Sequence, residues 1–232
     1  MDWLDQIKWD DKGLVPVIAI DGPSASGKGT VAQRVATVLG FHYLDSGALY
    51  RLTALAAQRQ HIGWDDEAGV AHVAATLDVV FSGETILLAG DDVSLAIRTE
   101  EMGVGASKVG ALPAVRVALL QRQRDFAQMP GLVSDGRDMG SVVFPHSPLK
   151  VFLTATAAVR AERRYKQLLQ RGEVADLAAI TADLEARDAR DRARAVAPLA
   201  QLPDALLLET SNLTIDEAVA QVLAWWKSRS PT

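Results

Sequence analysis

Cysteine is absent from the 232 residues, which excludes disulfides, thiolate metal sites and cysteine nucleophiles. No uninterrupted apolar run approaches the roughly 18–20 residues that a membrane-spanning helix needs. The first residues, MDWLDQIKWDDKG, are acidic and carry no apolar core, so they are not expected to act as a signal peptide. Positive charge is in deficit as well. Lys and Arg number 24 against 29 Asp and Glu, a net charge of −5, and a broad nucleic-acid surface would instead appear as a basic domain. His42, His72 and His146 lack metal-ligand spacing, which argues against a zinc site. Internal repeats and low-complexity tracts are also missing. These absences lead to the expectation of a cytoplasmic protein with neither nucleic acid nor membrane as partner; a monomer is expected too, although none of these absences bears on it.

What is present is an ordinary globular composition, 49% apolar and 23% charged. The length suits one large domain or a domain with an inserted module. The basic residues are unevenly spread: arginine supplies 17 of the 24, and eight of those lie between Arg160 and Arg194. Such crowding in an acidic chain implies either local work on anions or a heavily salt-bridged helix.

The segment VPVIAI (15–20) is short, β-branched and bounded by Gly13 and Gly22, as expected of a buried parallel strand. A glycine-rich turn follows. Then comes an amphipathic helical stretch with Val31, Val35, Val38 and Leu39 on one face and Gly40 as its stop. Further strands are expected at 131–135, 149–155 and 204–210, with helices at 113–128, 157–171, 174–195 and 214–228. The region 61–97 has a different texture, in which LDVVF, TILLAG and a DDV turn suggest short antiparallel strands. The adjacent Trp225 and Trp226 cannot share one helix face, so one is expected to be packed and the other to cover surface. The expected fold is α/β, an open and mainly parallel sheet with a small insert.

Gly22-Pro23-Ser24-Ala25-Ser26-Gly27-Lys28-Gly29-Thr30 lies between the first strand and the first helix. It matches G-x-x-x-x-G-K, with Gly29 where a Ser or Thr often stands. Glycines let successive N–H groups turn inward toward phosphate oxygens, the helix N-terminus adds partial positive charge, and Lys28 can reach the β- and γ-phosphates. Thr30 is a candidate hydroxyl near Mg²⁺. A GTPase would carry an N-K-x-D segment, and none is present.

Three other clusters bear on the second substrate. Asp45-Ser46-Gly47-Ala48-Leu49-Tyr50-Arg51 follows the expected end of the second strand; Ser46 can cap the next helix, and Arg51 can grip a phosphate bidentately. Ser-Asp-Gly-Arg-Asp-Met-Gly (134–140) either places Arg137, just beyond a strand end, near the transferred phosphate, or is a turn whose Asp135 and Asp138 cap backbone groups. In Arg187–Arg194, helical periodicity puts Arg187, Arg190, Asp191 and Arg194 on one face, with Asp188 and Arg192 as a pair pointing elsewhere. That face is either a solvated charge ladder or a binding surface for ribose hydroxyls and phosphate.

Together, GPSASGKGT, LDSGALYR, IRTEEMGVGASKV with PAVR, SDGRDMG and ARDARDRARAVAPL resemble bacterial cytidylate kinase, a P-loop nucleoside monophosphate kinase family, in order from about residue 15 to 226. The resemblance implies a five-stranded P-loop kinase core sheet flanked by helices (14–60 and 112–232), an acceptor-binding insert (about 61–111) and a helical lid (about 157–175), all one domain behind an N-terminal extension (1–13). It implies transfer of the ATP γ-phosphoryl group to CMP or dCMP with Mg²⁺. Residues 22–30 would bind ATP. Ser46, Arg51 and Arg137 would surround the acceptor phosphate and sugar; Ser107, Arg116 and Asp138 would read cytosine; Arg187 and Asp191 would hold the pentose, with Arg194 on base or phosphate. Arg163 and Arg164 match the lid arginines, and Arg98 is a weaker candidate. Lys28, Arg137, Arg163 and Arg164 are the expected catalytic residues. The chain departs from the family pattern at Ala186 and Ala189, which replace polar residues often found in the arginine-rich helix. A kinase for another small acceptor, such as UMP or AMP, and an ATP-driven switch protein are the competing readings.

Overall fold

The computed structural model describes residues 15–82 and 85–229; the expected extension at 1–13 lies outside them. Strand β1 (Val17–Asp21) is buried at all five positions, as a central parallel strand covered on both faces must be. It pairs in parallel with β6 (Leu132–Gly136) on one side and β7 (Leu149–Thr154) on the other. The five-stranded order is β2-β6-β1-β7-β8, with β2 (His42–Asp45) and β8 (Leu206–Glu209) at the edges.

The expected strands are therefore present, each within two residues of its anticipated ends, and β8 pairs in parallel with β7. Ile18, Ile20, Val133, Val151 and Leu153 from the sheet pack with Val31 and Val35 of α1 (Lys28–Leu39) and Val222 and Trp226 of α8 (Ile215–Arg229). Trp226 is fully buried and meets the Phe41 ring edge-on at 5.8 Å, whereas Trp225 is half-buried. A separate, smaller cluster of Ala161, Leu168, Ile180 and Leu184 joins α6 (Ala157–Gln170) to α7 (Leu177–Ala193).

The chain forms two compact units, one of Met1–Leu44 with Asp125–Thr232 and the other of Asp45–Arg124. The second contains α2 (Ser46–Arg59), α3 (Glu67–Ala75), α4 (Glu100–Val109) and α5 (Pro113–Arg124). It also holds an antiparallel sheet of β3 (Val79–Ser82), β4 (Thr85–Leu88) and β5 (Asp91–Asp92). Here the sequence reading needs correction. Residues 67–75 are helical, begun by Asp66, whose side chain accepts from the Gly69 N–H at 3.0 Å. Helix α4 escaped notice because Gly103 and Gly105 depress its propensity. Tertiary contact compensates: a Cβ at Gly105 would stand 2.7 Å from the Trp64 ring and 2.9 Å from the Ala54 Cβ, so glycine permits the close approach of α4 to α2. Among the described residues, no single helix is long and apolar enough to cross a membrane.

Candidate active site

The first site element follows directly from β1. A Cβ on Gly22 would lie 2.0 Å from the Leu153 carbonyl oxygen of β7, so only glycine lets the chain leave the sheet here. Two left-handed residues, Ala25 (φ 57°) and Gly27 (φ 93°), curl the loop into α1. Alanine in that conformation costs about 1–2 kcal/mol, strain of the kind that functional loops retain. Gly27 caps α1 without a side-chain acceptor, leaving the first-turn N–H groups for an anion. Lys28 is buried, its Nζ donating to the Pro23 carbonyl at 3.2 Å.

Beside the loop stands Asp135, at the end of β6 and 5% exposed. Tyr43 donates its hydroxyl to Asp135 Oδ1 at 2.8 Å. A Cβ on Gly29 would lie 3.7–3.9 Å from the two Asp135 oxygens, so this carboxylate faces the first turn of α1. Thr30 is exposed in the same turn.

The turn after β6 is held by a residue that the sequence reading left unassigned. Asp21 accepts from the Met139 N–H at 2.8 Å and the Gly140 N–H at 2.9 Å, fixing a π-turn over Met139–Val143. Asp138, one of the expected caps, makes no side-chain cap there, although it is buried. Burial pushes the Asp21 carboxyl up to about 6, against the pull of its two backbone donors; Asp138 adds to the rise and Arg137 opposes it. The folded chain thus holds this proton more tightly than the unfolded chain does. Its contribution to stability is complete below pH about 4 and is lost as pH rises through about 6, a change of about 3 kcal/mol for a rise from 3.8 to about 6. Denaturant titrations should show stability falling less from pH 4 to pH 7 in Asp21→Asn than in the parent, by about that amount. Equal falls would contradict the shifted carboxyl.

Arg137 lies between the loop and α7. Its Nε donates to Asp191 Oδ2 at 2.8 Å, its Nη2 to the Ser24 hydroxyl at 2.8 Å and its Nη1 to the Gly136 carbonyl at 3.2 Å. Burial disfavours its charge, but Asp191, with Asp135 and Asp188 beyond, outweighs that and holds the guanidinium above the usual arginine range. Arg194 donates its Nε to the Asp191 carbonyl at 3.2 Å, and its Nη2 lies 3.6 Å from Asp191 Oδ1.

The anticipated face of α7 requires correction. Arg190 is exposed, and Asp188, expected to pair with Arg192, is instead buried against Arg160 at 2.6 Å and accepts from the Ser24 N–H at 3.2 Å. The buried stripe runs Ile180, Leu184, Asp188, Asp191. Continuing the apolar periodicity past Leu184 would have found both aspartates. Arg187 is half-buried beside this stripe.

The two arginines expected in a lid, Arg163 and Arg164, differ in their contacts. Arg163 donates to the Ser26 carbonyl at 3.0 Å and to the Thr210 carbonyl at 2.6 Å, docking α6 on the loop. Arg164 lines a cleft of about 320 Å³ together with Gly27, Thr30, Arg163, Gln167 and Ile215. That cleft opens at the loop and is large enough for part of a nucleotide.

In the second unit, the N-cap of α2 is Asp45, which accepts from the Ala48 N–H at 3.0 Å, and not Ser46, which is the first helical residue. An aspartate side chain can fill that position where the chain is still extended. Arg51, one turn on, lies 3.7 Å from Asp45 Oδ2. Arg116 of α5 is buried; it donates to the Gly110 carbonyl at 3.1 Å and lies over the Tyr50 ring at 5.7 Å. Ser107 is half-buried on α4, and Arg98 ends a short 3₁₀ turn before it. Among the described residues no group of three or more His, Asp or Glu forms a metal cluster.

The family model for cytidylate kinase matches residues 18–228. A cytidylate kinase of Chromobacterium violaceum is 65% identical over 215 residues, covering 93% of this chain and 97% of its own. One from Neisseria meningitidis is 63% identical over 211 residues, covering 91% and 97%. One from Cupriavidus necator is 56% identical over 218 residues, covering 94% and 98%.

Proposed function

The chain belongs to the cytidylate kinase family, and from that membership we propose how its own residues carry out the reaction. The enzyme transfers the γ-phosphoryl group of ATP to CMP or dCMP, giving ADP and the corresponding diphosphate. Residues 22–30 hold the ATP phosphates through Lys28 and the backbone N–H groups where the loop runs into α1. Arg137 carries the reading furthest, because its guanidinium joins the ATP loop at Ser24 to α7 at Asp191. A cation in that place can take the acceptor phosphate and the transferring group.

Phosphoryl transfer passes through a loose transition state, so positioning and charge neutralisation supply nearly all of the catalysis. The acceptor oxygen already carries negative charge and needs no general base. Lys28, Arg137, Arg163 and Arg164 neutralise the transferring group, and the docked α6 excludes water from it. Asp191 and Arg187 take the pentose, and Arg194 takes base or phosphate. From the second unit, Ser46 and Arg51 contribute to the acceptor phosphate and sugar. Ser107 and Arg116 contribute to cytosine, as does Asp138 of the first unit. Carboxylate and hydroxyl groups suit the exocyclic amine, and Arg116 suits the ring acceptors. Uracil reverses the donor pattern, leaving buried polar groups unpaired at about 1–3 kcal/mol each.

The donor set fits Mg²⁺, a hard cation that prefers carboxylate and phosphate oxygens. Asp135, facing the first turn of α1, would hold it together with the ATP phosphates, Thr30 being the nearby hydroxyl. When bound, the ion supplies charge neutralisation at the phosphates.

An assay coupled to ADP release, run with CMP, dCMP, UMP and AMP in turn, tests the reading. Rapid turnover with CMP or dCMP is expected. Strong turnover with UMP but not CMP would overturn the choice of acceptor, and turnover without any acceptor would favour a switch protein. Asp191→Ala should raise the KM for CMP about 10- to 100-fold, the usual cost of losing a charged hydrogen-bond partner, and should change the KM for ATP far less. Equal losses for both substrates would remove Asp191 from the sugar site. We further propose that the chain works as a cytoplasmic monomer without nucleic-acid or membrane partner. Its net charge of −5 supports the first exclusion, and light scattering should return the mass of one chain.

A further inference from the structure

Ser24 is engaged by the chain at all three of its polar groups. Its N–H donates to Asp188 Oδ1 at 3.2 Å, its carbonyl accepts from Arg160 Nη1 at 2.9 Å, and its hydroxyl accepts from Arg137 Nη2 at 2.8 Å. Arg160 and Asp188 are themselves an ion pair at 2.6 Å, with side chains 6% and 2% exposed. Arg137 continues to Asp191 at 2.8 Å, one turn beyond Asp188 on α7. Helix α7 therefore holds this one loop residue by two separate routes, directly at the N–H and through Arg137 at the hydroxyl. A single link would allow the loop to swivel independently of α7, whereas two tie its orientation to that of the helix. The N–H of residue 24, in the loop assigned to the ATP phosphates, is already committed to a carboxylate.

We propose that Ser24 is the joint that couples occupancy of the ATP loop to occupancy of the acceptor helix, with Arg160 and Asp188 as the positioning residues that hold it. The inference rests on the reading of Arg137 and Asp191 as acceptor-site residues. ATP, by ordering the loop, orders Ser24 and through it Arg137 and Asp191. The acceptor then binds to groups already fixed, and by thermodynamic necessity each ligand strengthens the other by the same factor. Asp188 itself does not touch substrate; it acts through the Ser24 peptide. A buried ion pair of this kind is poor evidence of stability and is better explained by the geometry it enforces.

The test is a reciprocal calorimetric titration. The Kd for CMP is measured with and without saturating β,γ-imido ATP, and the ratio of the two values is read within each variant, so that a change in either affinity alone cancels. The wild type should give a ratio of about 5 or more, in the usual range for coupled sites. Ser24→Ala, which removes only the hydroxyl route, should lower the ratio at least about threefold, and Asp188→Asn should do the same while melting cooperatively. Arg192→Ala, on the exposed face of the same helix, should keep the wild-type ratio. A wild-type ratio near one, or a ratio unchanged in Ser24→Ala, overturns the joint. Turnover of CMP by the same wild-type preparation tests the function separately, so turnover accompanied by a ratio near one would remove the joint and leave the kinase reading standing.

Discussion

Replacing Lys28 with alanine should lower kcat by about 10²–10³ or more, the cost of deleting one preorganised charge at a transferring group. Lys28 opens α1, and its buried ammonium lies against the loop, 3.2 Å from the Pro23 carbonyl, where the proposed mechanism puts the charge of the transition state. The loss should appear in single-turnover quench experiments at saturating ATP and CMP, which separate chemistry from binding. Lys28→Arg should not restore the rate, because a broad planar guanidinium does not reproduce a compact point charge. Near-normal single turnover in Lys28→Ala would remove Lys28 from the chemistry.

The largest effect on stability is expected at Gly22. An alanine Cβ there would sit 2.0 Å from the Leu153 oxygen and 3.0 Å from the Leu153 carbonyl carbon, both backbone atoms of a central strand. No rotamer relieves that contact; β7 must move away from β1 in the middle of the sheet. A cost above about 4 kcal/mol places Gly22→Ala among the exceptional substitutions. For a chain of this size that corresponds to a fall in Tm of about 8–16 °C. Gly40→Ala supplies the comparison. Gly40 also has a left-handed φ of 66°, but nothing stands within 4 Å of its would-be Cβ, so its cost is the conformational one alone, about 1–2 kcal/mol. If thermal melts place the two variants together, the steric account of Gly22 fails.

These two residues were legible in the sequence because the phosphate loop is a local object. Its strand, glycines, lysine and helix are contiguous, and each residue type follows from the turn or the charge that it serves. The central parallel strands were legible for a related reason: strands buried on both faces become continuous apolar runs, as in LKVFLTA. The residues that hold the loop in place were less visible. Asp188 reads as a surface charge in an arginine-rich repeat until Leu184 and Ile180 show that its face turns inward, and its partner Arg160 lies on another helix. Asp21 looks like the end of a strand, and only the fold brings the Met139 and Gly140 amides to it across more than a hundred residues. Helix α4 was hidden by its glycines, of which Gly105 makes sense only once Trp64 is beside it. Local chemistry could be read directly, whereas buried polar pairs required the tertiary structure.

The small cluster between α6 and α7 has a consequence for heat sensitivity. Four buried apolar side chains hold these helices to each other, while a far larger core holds the sheet. Local opening free energy follows buried apolar contact, so the α6–α7 pair should fray while the sheet is still intact. Heat inactivation is then expected to begin as a reversible opening of the α6–α7 pair, at a temperature below that of global unfolding. The working ceiling would then be set by this helix pair, and strengthening the sheet would not raise it.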